Sequence, residues 1–348
     1  MKQSKKIVAI LYALLAAAFY AVNIPLSKLL LEDIGPTMMA AFLYLGAGTG
    51  VGVMSLMSRK EKEKKLERKD FPFVLGMIAL DIAAPIFLMV GISCGSSSTA
   101  SLLGNFEIVA TTVVALVIFK ETVSRRLWAA IGLITASSIL LSFEGTGSLH
   151  FSYGSIFVLL ATVCWGFENN CTRKISSKST YEIVVLKGIF SGLGAFVIAL
   201  IRRESLPPLR AILLALVLGY VAYGLSIFLY VRAQSMLGAA KTSAYYAVAP
   251  FVGAFLSFVL LREPLSSIYL AALGIMIAGT ALVVVDTLIR HHAHAHQHSF
   301  THTHDGSTHT HTVTHSHEHN HYVTDGVHGH HHATNDLERL AGTAYVGI

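Results

Sequence analysis

Apolar runs of about 20 residues recur along most of this chain, and they constrain its fold more than any other feature. A helix of that length crosses the hydrocarbon core of a bilayer while bonding all of its own backbone groups. Charged residues make up only 13% of the chain, whereas soluble domains carry roughly one quarter. We therefore predict an all-α membrane protein with about ten transmembrane helices. The predicted spans cover residues 7–31, 37–58, 71–92, 97–119, 127–143, 153–172, 182–201, 211–231, 238–261 and 268–289.

The charges gather in the loops between these runs. With the N-terminus in the cytoplasm, the cation-bearing loops 59–69, 120–126, 173–178 and 232–241 are all cytoplasmic, as the positive-inside rule requires. Loop 202–210, with three arginines, is a minor exception. The formal net charge of +6 is thus a topology signal and not a nucleic-acid footprint. We predict a multi-pass protein of the cell membrane, with both termini cytoplasmic and the lipid bilayer as its surroundings.

The two halves of the hydrophobic region resemble each other. LLAAAFYA at 14–21 matches LLATVCWG at 159–166, and residues 98–124 align without a gap onto 240–266. The second alignment places Glu121 opposite Glu263, both at helix ends where hydrogen bonds to loop backbone are the simplest role. Two copies of five helices joined in series have opposite orientations in the membrane. This predicts an inverted repeat, residues 1–145 and 146–290, of the kind that exposes a midplane site to either side in secondary transport.

These residues resemble the drug/metabolite transporter superfamily in its EamA-type form, with two five-helix repeats. The segment AYYAVAPFVGAFLSFVLLREPLS, which ends at Ser266, is similar to that family's proline-containing helix, and Trp165 with Gly166 fits the start of its sixth helix. The resemblance covers about 7–289. The first repeat departs from the pattern, because Ile108 stands where the family usually has proline and an expected Arg in the second helix is absent.

The resemblance implies a membrane carrier, often an exporter of amino acids, metabolites or drugs. It implies no enzyme activity and no cofactor for transport. The chain also lacks the Gly-x-x-x-x-Gly-Lys segment of ATP-binding loops.

Ionisable residues in mid-span are costly unless they face a cavity or a partner, and three carboxylates occupy such positions. The functional interpretation is that they line a central cavity, where they bind a cationic group or take up a proton. The alternative is that they make interhelical hydrogen bonds with no part in transport. The candidate substrate or coupling residues are Asp81, Glu107, Glu168, Asn105, Asn169, Asn170 and Tyr246.

Two further residue types mark the spans. Lys28 and Lys187 lie near span ends, where long side chains are expected to snorkel to the interface. Pro25, Pro85 and Pro250 each remove a backbone donor and are expected to interrupt their helices. Such breaks point to hinges near a transport site, or else to ordinary kinks that aid packing.

A histidine-rich tail follows the last span: 17 of the 18 histidines lie between His291 and His332. The segment 291–348 lacks apolar residues for a core and is predicted to be a disordered cytoplasmic tail. Its recurring His-x-His pairs suit Zn, Ni, Co or Cu, and a pH-responsive or solubilising tail is the alternative. The candidate metal ligands are His294, His296, His302, His304, His309, His311, His315, His317, His319 and His321.

The leading hypothesis is a secondary transporter that exports a small metabolite, amino acid or drug-like solute, with a tail that buffers or senses divalent metal. The protein is expected to be a monomer or a homodimer. The runner-up is a Zn, Ni or Co efflux transporter, although the predicted spans contain no histidine. A non-transporting sensor or scaffold is the third hypothesis, and an inverted repeat argues against it.

Overall fold

The computed structural model describes residues 3–57, 64–120, 123–144, 150–175, 178–237, 242, 245–304 and 307–322. One compact unit ends at Asp286 and a second begins at Thr287. The helices of the described residues are α1 (Gln3–Ala21), α2 (Asn23–Leu30), α3 (Pro36–Met57), α4 (Phe71–Cys94), α5 (Ser97–Leu103), α6 (Phe106–Phe119), α7 (Arg125–Leu141), α8 (Tyr153–Ile175), α9 (Thr180–Ile201), α10 (Leu209–Gly219), α11 (Ser226–Leu237), α12 (Ala249–Leu261) and α13 (Ser267–Leu288). A 3-10 turn (Arg68–Asp70) precedes α4, a π-helical segment (Tyr220–Leu225) joins α10 to α11, and the strands are β1 (Phe143–Glu144), β2 (His150–Phe151), β3 (Ile289–His304) and β4 (Ser307–Tyr322).

The predicted all-α membrane architecture is confirmed. Seven helical stretches within the described residues are long and apolar enough to cross a membrane. The other predicted spans correspond to helices that miss those limits for visible reasons: α7 has 17 residues, α12 has 13, and α8 carries Glu168 with two asparagines. The seven candidate spans are Ile7–Leu30, Pro36–Met57, Arg68–Cys94, Ser97–Ile118, Thr180–Ile201, Leu209–Tyr230 and Ser267–Asp286.

The three prolines expected to interrupt helices differ in what they do. Pro25 lies just after the break between α1 and α2, because it cannot donate to the carbonyl of Ala21. Pro250 lies in the first turn of α12, where a backbone N–H has no helical partner. The expected interruption at Pro85 is wrong, since α4 runs unbroken from Phe71 to Cys94. Packed neighbouring helices allow a proline inside a membrane helix without ending it.

Helices of the first predicted repeat pack against helices of the second. The longest contacts run between α3 and α9 and between α4 and α8. Gly48 and Gly188 let α3 and α9 approach closely, and a Cβ on Gly48 would lie only 2.6 Å from the backbone nitrogen of Ile189. Small residues at such crossings are the usual means of tight packing between membrane helices. The crossing brings the middle of α9 next to the middle of α3.

Charged side chains bind backbone groups at the end of the bundle where α2, α4 and α12 finish. The Lys28 ammonium donates to the carbonyls of Ile92 at 2.6 Å and Gly95 at 2.9 Å. Lys28 is therefore at a span end as expected, but it contacts protein carbonyls there. The Glu263 carboxylate accepts from the backbone N–H groups of Ser97 at 2.6 Å and Ser98 at 2.8 Å, which confirms its predicted structural role. Glu121, its repeat equivalent, lies outside the described residues.

The opposite end of the bundle is held by an ion-pair cluster. Lys178 Nζ lies 2.6 Å from Glu67 and 3.2 Å from Asp70, and it joins the loop before α4 to the loop before α9. Glu182 at the start of α9 accepts a hydrogen bond of 3.1 Å from the backbone of Leu66. Both ends of the bundle therefore carry polar contacts between the two halves of the chain.

The second compact unit contains the histidine-rich segment. Its described backbone forms two antiparallel strands, β3 and β4, where disorder was expected. Alternation of histidine with threonine is compatible with strands, because β-branched threonine favours extended backbone. The register places His294 opposite His317, His296 opposite His315 and His302 opposite His309. Residues 323–348 lie outside the described part, and disorder there stays a prediction.

Candidate functional site

A buried cluster of three charged side chains lies where α4, α8 and α9 meet. Lys187 Nζ lies 3.0 Å from Asp81 Oδ2 and 3.0 Å from Glu168 Oε1. The side chains of Asp81 and Glu168 are 0% and 2% exposed, and that of Lys187 is 17% exposed. The expectation that Lys187 snorkels to the interface is therefore wrong. Two carboxylates inside the bundle hold its ammonium, because a buried charge is stabilised by an opposite charge nearby.

Each carboxylate of the cluster has further support. Tyr44 on α3 donates to Asp81 Oδ1 at 2.9 Å, and Thr172, one turn along α8, donates to Glu168. Asp81 Oδ2 has no neutral donor among the described residues, and its contact there is the Lys187 ammonium, 3.0 Å away. With all three groups ionised, two carboxylates and one ammonium leave the cluster a formal charge of −1.

Glu107 belongs to a neighbouring polar group on α6. Its carboxylate accepts a hydrogen bond of 2.7 Å from Asn169, which also contacts the Thr111 hydroxyl at 3.2 Å. Asn170 donates to the carbonyls of Gly166 at 2.8 Å and Thr111 at 3.2 Å. The structure thus joins α6 to α8 through three of the predicted site residues. None of the described contacts of Glu107 reaches Lys187 directly.

Two predicted asparagines keep unsatisfied polar atoms. Asn105, at the junction of α5 and α6, is 3% exposed, and its Nδ2 has no partner among the described residues. Asn170 Oδ1 is likewise buried without a described partner. An unpaired buried polar atom costs about 1–3 kcal/mol, so such atoms call for a physical reason. Polar groups kept free near a site are available to a ligand or to water.

A row of tyrosines extends from the charged cluster. The ring of Tyr44 lies 5.3 Å from that of Tyr223, and Tyr20 lies 5.9 Å from Tyr223 and 6.0 Å from Tyr246. Tyr246, the one tyrosine predicted from sequence, also packs 5.1 Å from Tyr230. Sequence reasoning missed Tyr20, Tyr44 and Tyr223. Their mid-span position was the available signal, since membrane tyrosines usually lie at the interface.

The site is asymmetric with respect to the two repeats. In the alignment of residues 14–21 with residues 159–166, equivalent residues of the two repeats differ by 145 in number. The same offset places Asn23 opposite Glu168. Asn23 is fully buried and donates to the Tyr223 hydroxyl at 2.9 Å. The first repeat therefore has a neutral amide at the position where the second repeat has a carboxylate.

The described side chains of the bundle form no preassembled metal site. Among the residues whose side chains the structure describes, no group of three or more His, Cys, Asp or Glu could hold a metal ion. The predicted metal-binding histidines all lie in β3 and β4, for which the structure describes the backbone only.

Comparison with known proteins agrees with this architecture. A family model described as the EamA-like transporter family matches residues 7–143 and 152–285. A protein of Methanothermobacter thermautotrophicus described as an uncharacterized transporter is 26% identical over 271 residues, which is 72% of this chain and 78% of that protein. A solved structure described only as "Crystal structure of protein" has a TM-score of 0.57 and 14% identity, covers 82% of this chain and 98% of its own, and supports the fold alone. This chain belongs to the EamA-like transporter family.

Proposed function

We propose that the protein is a secondary transporter that exports a small metabolite, amino acid or drug-like solute by alternating access through the cluster of Asp81, Lys187 and Glu168. The cluster is the single observation that carries this proposal. Three charges buried at the centre of a membrane bundle are costly, and such residues usually mark a transport pathway. We assign no catalytic role to any residue.

The cluster is also placed where repeat motion would act on it. Asp81 belongs to the first repeat, whereas Glu168 and Lys187 belong to the second. Rocking of one repeat against the other changes the distance between Lys187 and Asp81, because the two residues are on different rigid elements. A bound solute or proton that alters this ion pair therefore alters the equilibrium between the two states.

The test is solute flux in proteoliposomes, measured with a panel of radiolabelled amino acids, amines and drug-like compounds. We expect Glu168→Gln and Asp81→Asn each to lower the flux by at least about tenfold, since breaking a buried ion pair costs several kcal/mol and 1.4 kcal/mol is a factor of ten. Asp33→Asn, which changes an exposed loop carboxylate, is the matched control and should leave flux unchanged. Wild-type flux from both cluster variants across pH 5 to 9 would contradict the proposal.

The same proposal includes the orientation of the chain in the membrane and the direction in which solute is transported. The cation-rich loops support an orientation with both termini in the cytoplasm. We expect a C-terminal tag to be cleaved in inside-out vesicles and protected in intact cells, and solute to accumulate in the inside-out vesicles. Accumulation only in right-side-out vesicles would indicate import.

We further propose that the tail binds a divalent transition metal such as Zn, Ni or Co, while the transported solute is a different molecule. The register of β3 and β4 supports this role, because histidines directly opposite on two strands lie on the same face. Oxygen and amide groups in the bundle form a weak site for such metals, which speaks against metal as the cargo.

A further inference from the structure

We infer that Asp81 is the docking point for a primary ammonium group on the transported solute, and that Lys187 is a built-in competitor for that point. This inference rests on the proposed transport function and names the class of solute. Four observations support it: the distances in the cluster, the reliance of Asp81 Oδ2 on Lys187 alone among the described residues, the formal charge of the fully ionised cluster, and the tyrosines beside it.

The distances define the kind of cation that the cluster accepts. Lys187 Nζ meets two carboxylate oxygens at 3.0 Å each, which are contacts of a nitrogen that carries hydrogens. A quaternary ammonium is surrounded by methyl groups, so its nitrogen cannot come this close to an oxygen. The cluster is therefore built around the geometry of a primary ammonium, and Lys187 occupies it in the absence of solute.

Lys187 shares its ammonium between two carboxylates. It lies 3.0 Å from Asp81 Oδ2 and 3.0 Å from Glu168 Oε1, and Asp81 Oδ2 has no other partner among the described residues. A free solute is not tied to a helix and can turn one of its three N–H groups directly towards Asp81 Oδ2. Glu168 keeps Lys187 in that arrangement, since its Oε1 already lies 3.0 Å away.

With Asp81, Glu168 and Lys187 all ionised, the formal charge of the cluster is −1, and one added monocation brings it to zero. In a low-dielectric interior an uncompensated charge is strongly unfavourable, so binding of one ammonium is stabilised electrostatically. A second cation on the same solute has no described counter-charge within this cluster.

The body of the solute lies against the tyrosines. Tyr44 connects the two regions, since its hydroxyl contacts Asp81 and its ring packs against Tyr223. Tyr20 continues the same surface. Aromatic faces attract cations and pack well against apolar groups. The solute class is therefore a primary amine with a short apolar or aromatic body.

The experiment measures ligand binding by purified protein in detergent, with phenethylammonium as the probe. Phenethyltrimethylammonium and 2-phenylethanol are the matched quaternary and neutral analogues. We expect phenethylammonium alone to raise the Tm of the wild-type protein in a dose-dependent manner. Asp81→Asn should weaken its apparent Kd by at least about tenfold, which is 1.4 kcal/mol. Lys187→Met, which removes the competitor but keeps an unbranched side chain, should strengthen the apparent Kd by at least about tenfold.

Several results would overturn the inference: equal binding of the quaternary analogue, unchanged affinity in Asp81→Asn, or no gain in Lys187→Met. If Lys187→Met does not fold, Lys187→Gln is measured instead and must show the same gain. Asp33→Asn is the control with wild-type affinity. Binding without any flux in proteoliposomes would contradict the transport proposal and leave this inference standing. Flux of neutral or anionic solutes with no phenethylammonium binding would contradict this inference and leave the transport proposal standing.

Discussion

Pro85 follows Asp81 by four residues within the unbroken helix α4, so the backbone carbonyl of Asp81 faces a ring that has no N–H. The same residue thus has a backbone oxygen without its helical donor and a carboxylate in an ion pair with Lys187. Tyr246 and Pro250 have the same four-residue spacing in the second repeat. Pro250 lies in the first turn of α12, so a missing donor inside a continuous helix is a feature of Pro85 and not of Pro250.

We predict that Pro85→Ala stabilises the protein and slows transport. The new N–H completes the helical hydrogen bond to the Asp81 carbonyl, and an interior proline costs up to about 3 kcal/mol relative to alanine. Thermal unfolding in detergent should show a higher Tm, and proteoliposome flux should fall. Pro72→Ala is the control, because Pro72 lies in the first turn of α4 where no helical N–H is needed. An equal Tm for Pro85→Ala and wild type would contradict the prediction that Pro85 destabilises α4.

Close approach of α3 and α9 gives a second prediction. A methyl group on Gly188 would press against the backbone of Gly48, so Gly188→Ala must push the two helices apart. Overpacking of this kind costs about 1–3 kcal/mol, and we expect a lower Tm together with weaker solute flux. Gly274→Ala is the matched control on α13, since its added Cβ has no described atom within 4 Å and alanine favours helix. A Tm for Gly188→Ala at or above that of Gly274→Ala would contradict this account.

The Lys178 cluster predicts a pH-dependent contribution to stability. Hydrogen bonds from Lys178 and Lys69 lower the pKa of Glu67 to about 2, from an ordinary value near 4.5. A carboxylate with a depressed pKa in the folded state stabilises that state above the unfolded pKa, and its contribution is lost as pH falls towards the folded pKa. The Tm difference between wild type and Glu67→Gln should be constant from pH 8 to about 5.5 and then shrink.

By pH 3, less than about half of that Tm difference should remain. Glu67 is 54% exposed, so solvent screens the pair and the difference at neutral pH is expected to be small. Glu32→Gln removes an exposed carboxylate at the other end of the bundle and is the control. A Tm difference between wild type and Glu67→Gln that grows on acidification would contradict this prediction.

Removal of the tail tests the proposed separation of metal binding from transport. Deletion from Arg290 onward takes away all of the clustered histidines. Calorimetry with Zn and Ni should show multi-site binding by the full chain and its loss in the truncated chain, while flux of the organic solute is unchanged. Metal flux that survives the deletion would favour the metal-efflux alternative. Identical calorimetric traces for the two chains would exclude metal binding by the tail.

Long apolar runs made the membrane architecture predictable, because bilayer thickness and backbone hydrogen bonding leave few alternatives to helices. The alignment of residues 98–124 with residues 240–266 likewise predicted a helix end at Glu263, and the contacts of Glu263 agree with that prediction. Mid-span carboxylates stood out because their cost in a membrane is high wherever they lie.

Partners of those carboxylates were not predictable in the same way. Lys187 lies in the first half of α9, where a lysine can reach either the interface or the interior. The choice depends on Asp81 and Glu168, which belong to other helices, and one sequence does not show which helices meet. Tyr44 and Tyr223 were missed for the same reason. The unbroken course of α4 through Pro85 depends on packing around that helix and not on local preference.

Two inverted repeats with the same residues would give a carrier whose inward and outward states are related by a two-fold axis in the membrane plane and have equal free energy. Glu168 in place of an asparagine such as Asn23 removes that equality, because the same motion displaces a charge in one half and a neutral amide in the other. If the protein alternates as we propose, we therefore expect its solute-free form to prefer one side of the membrane, so that a gradient acts on an equilibrium that is already biased.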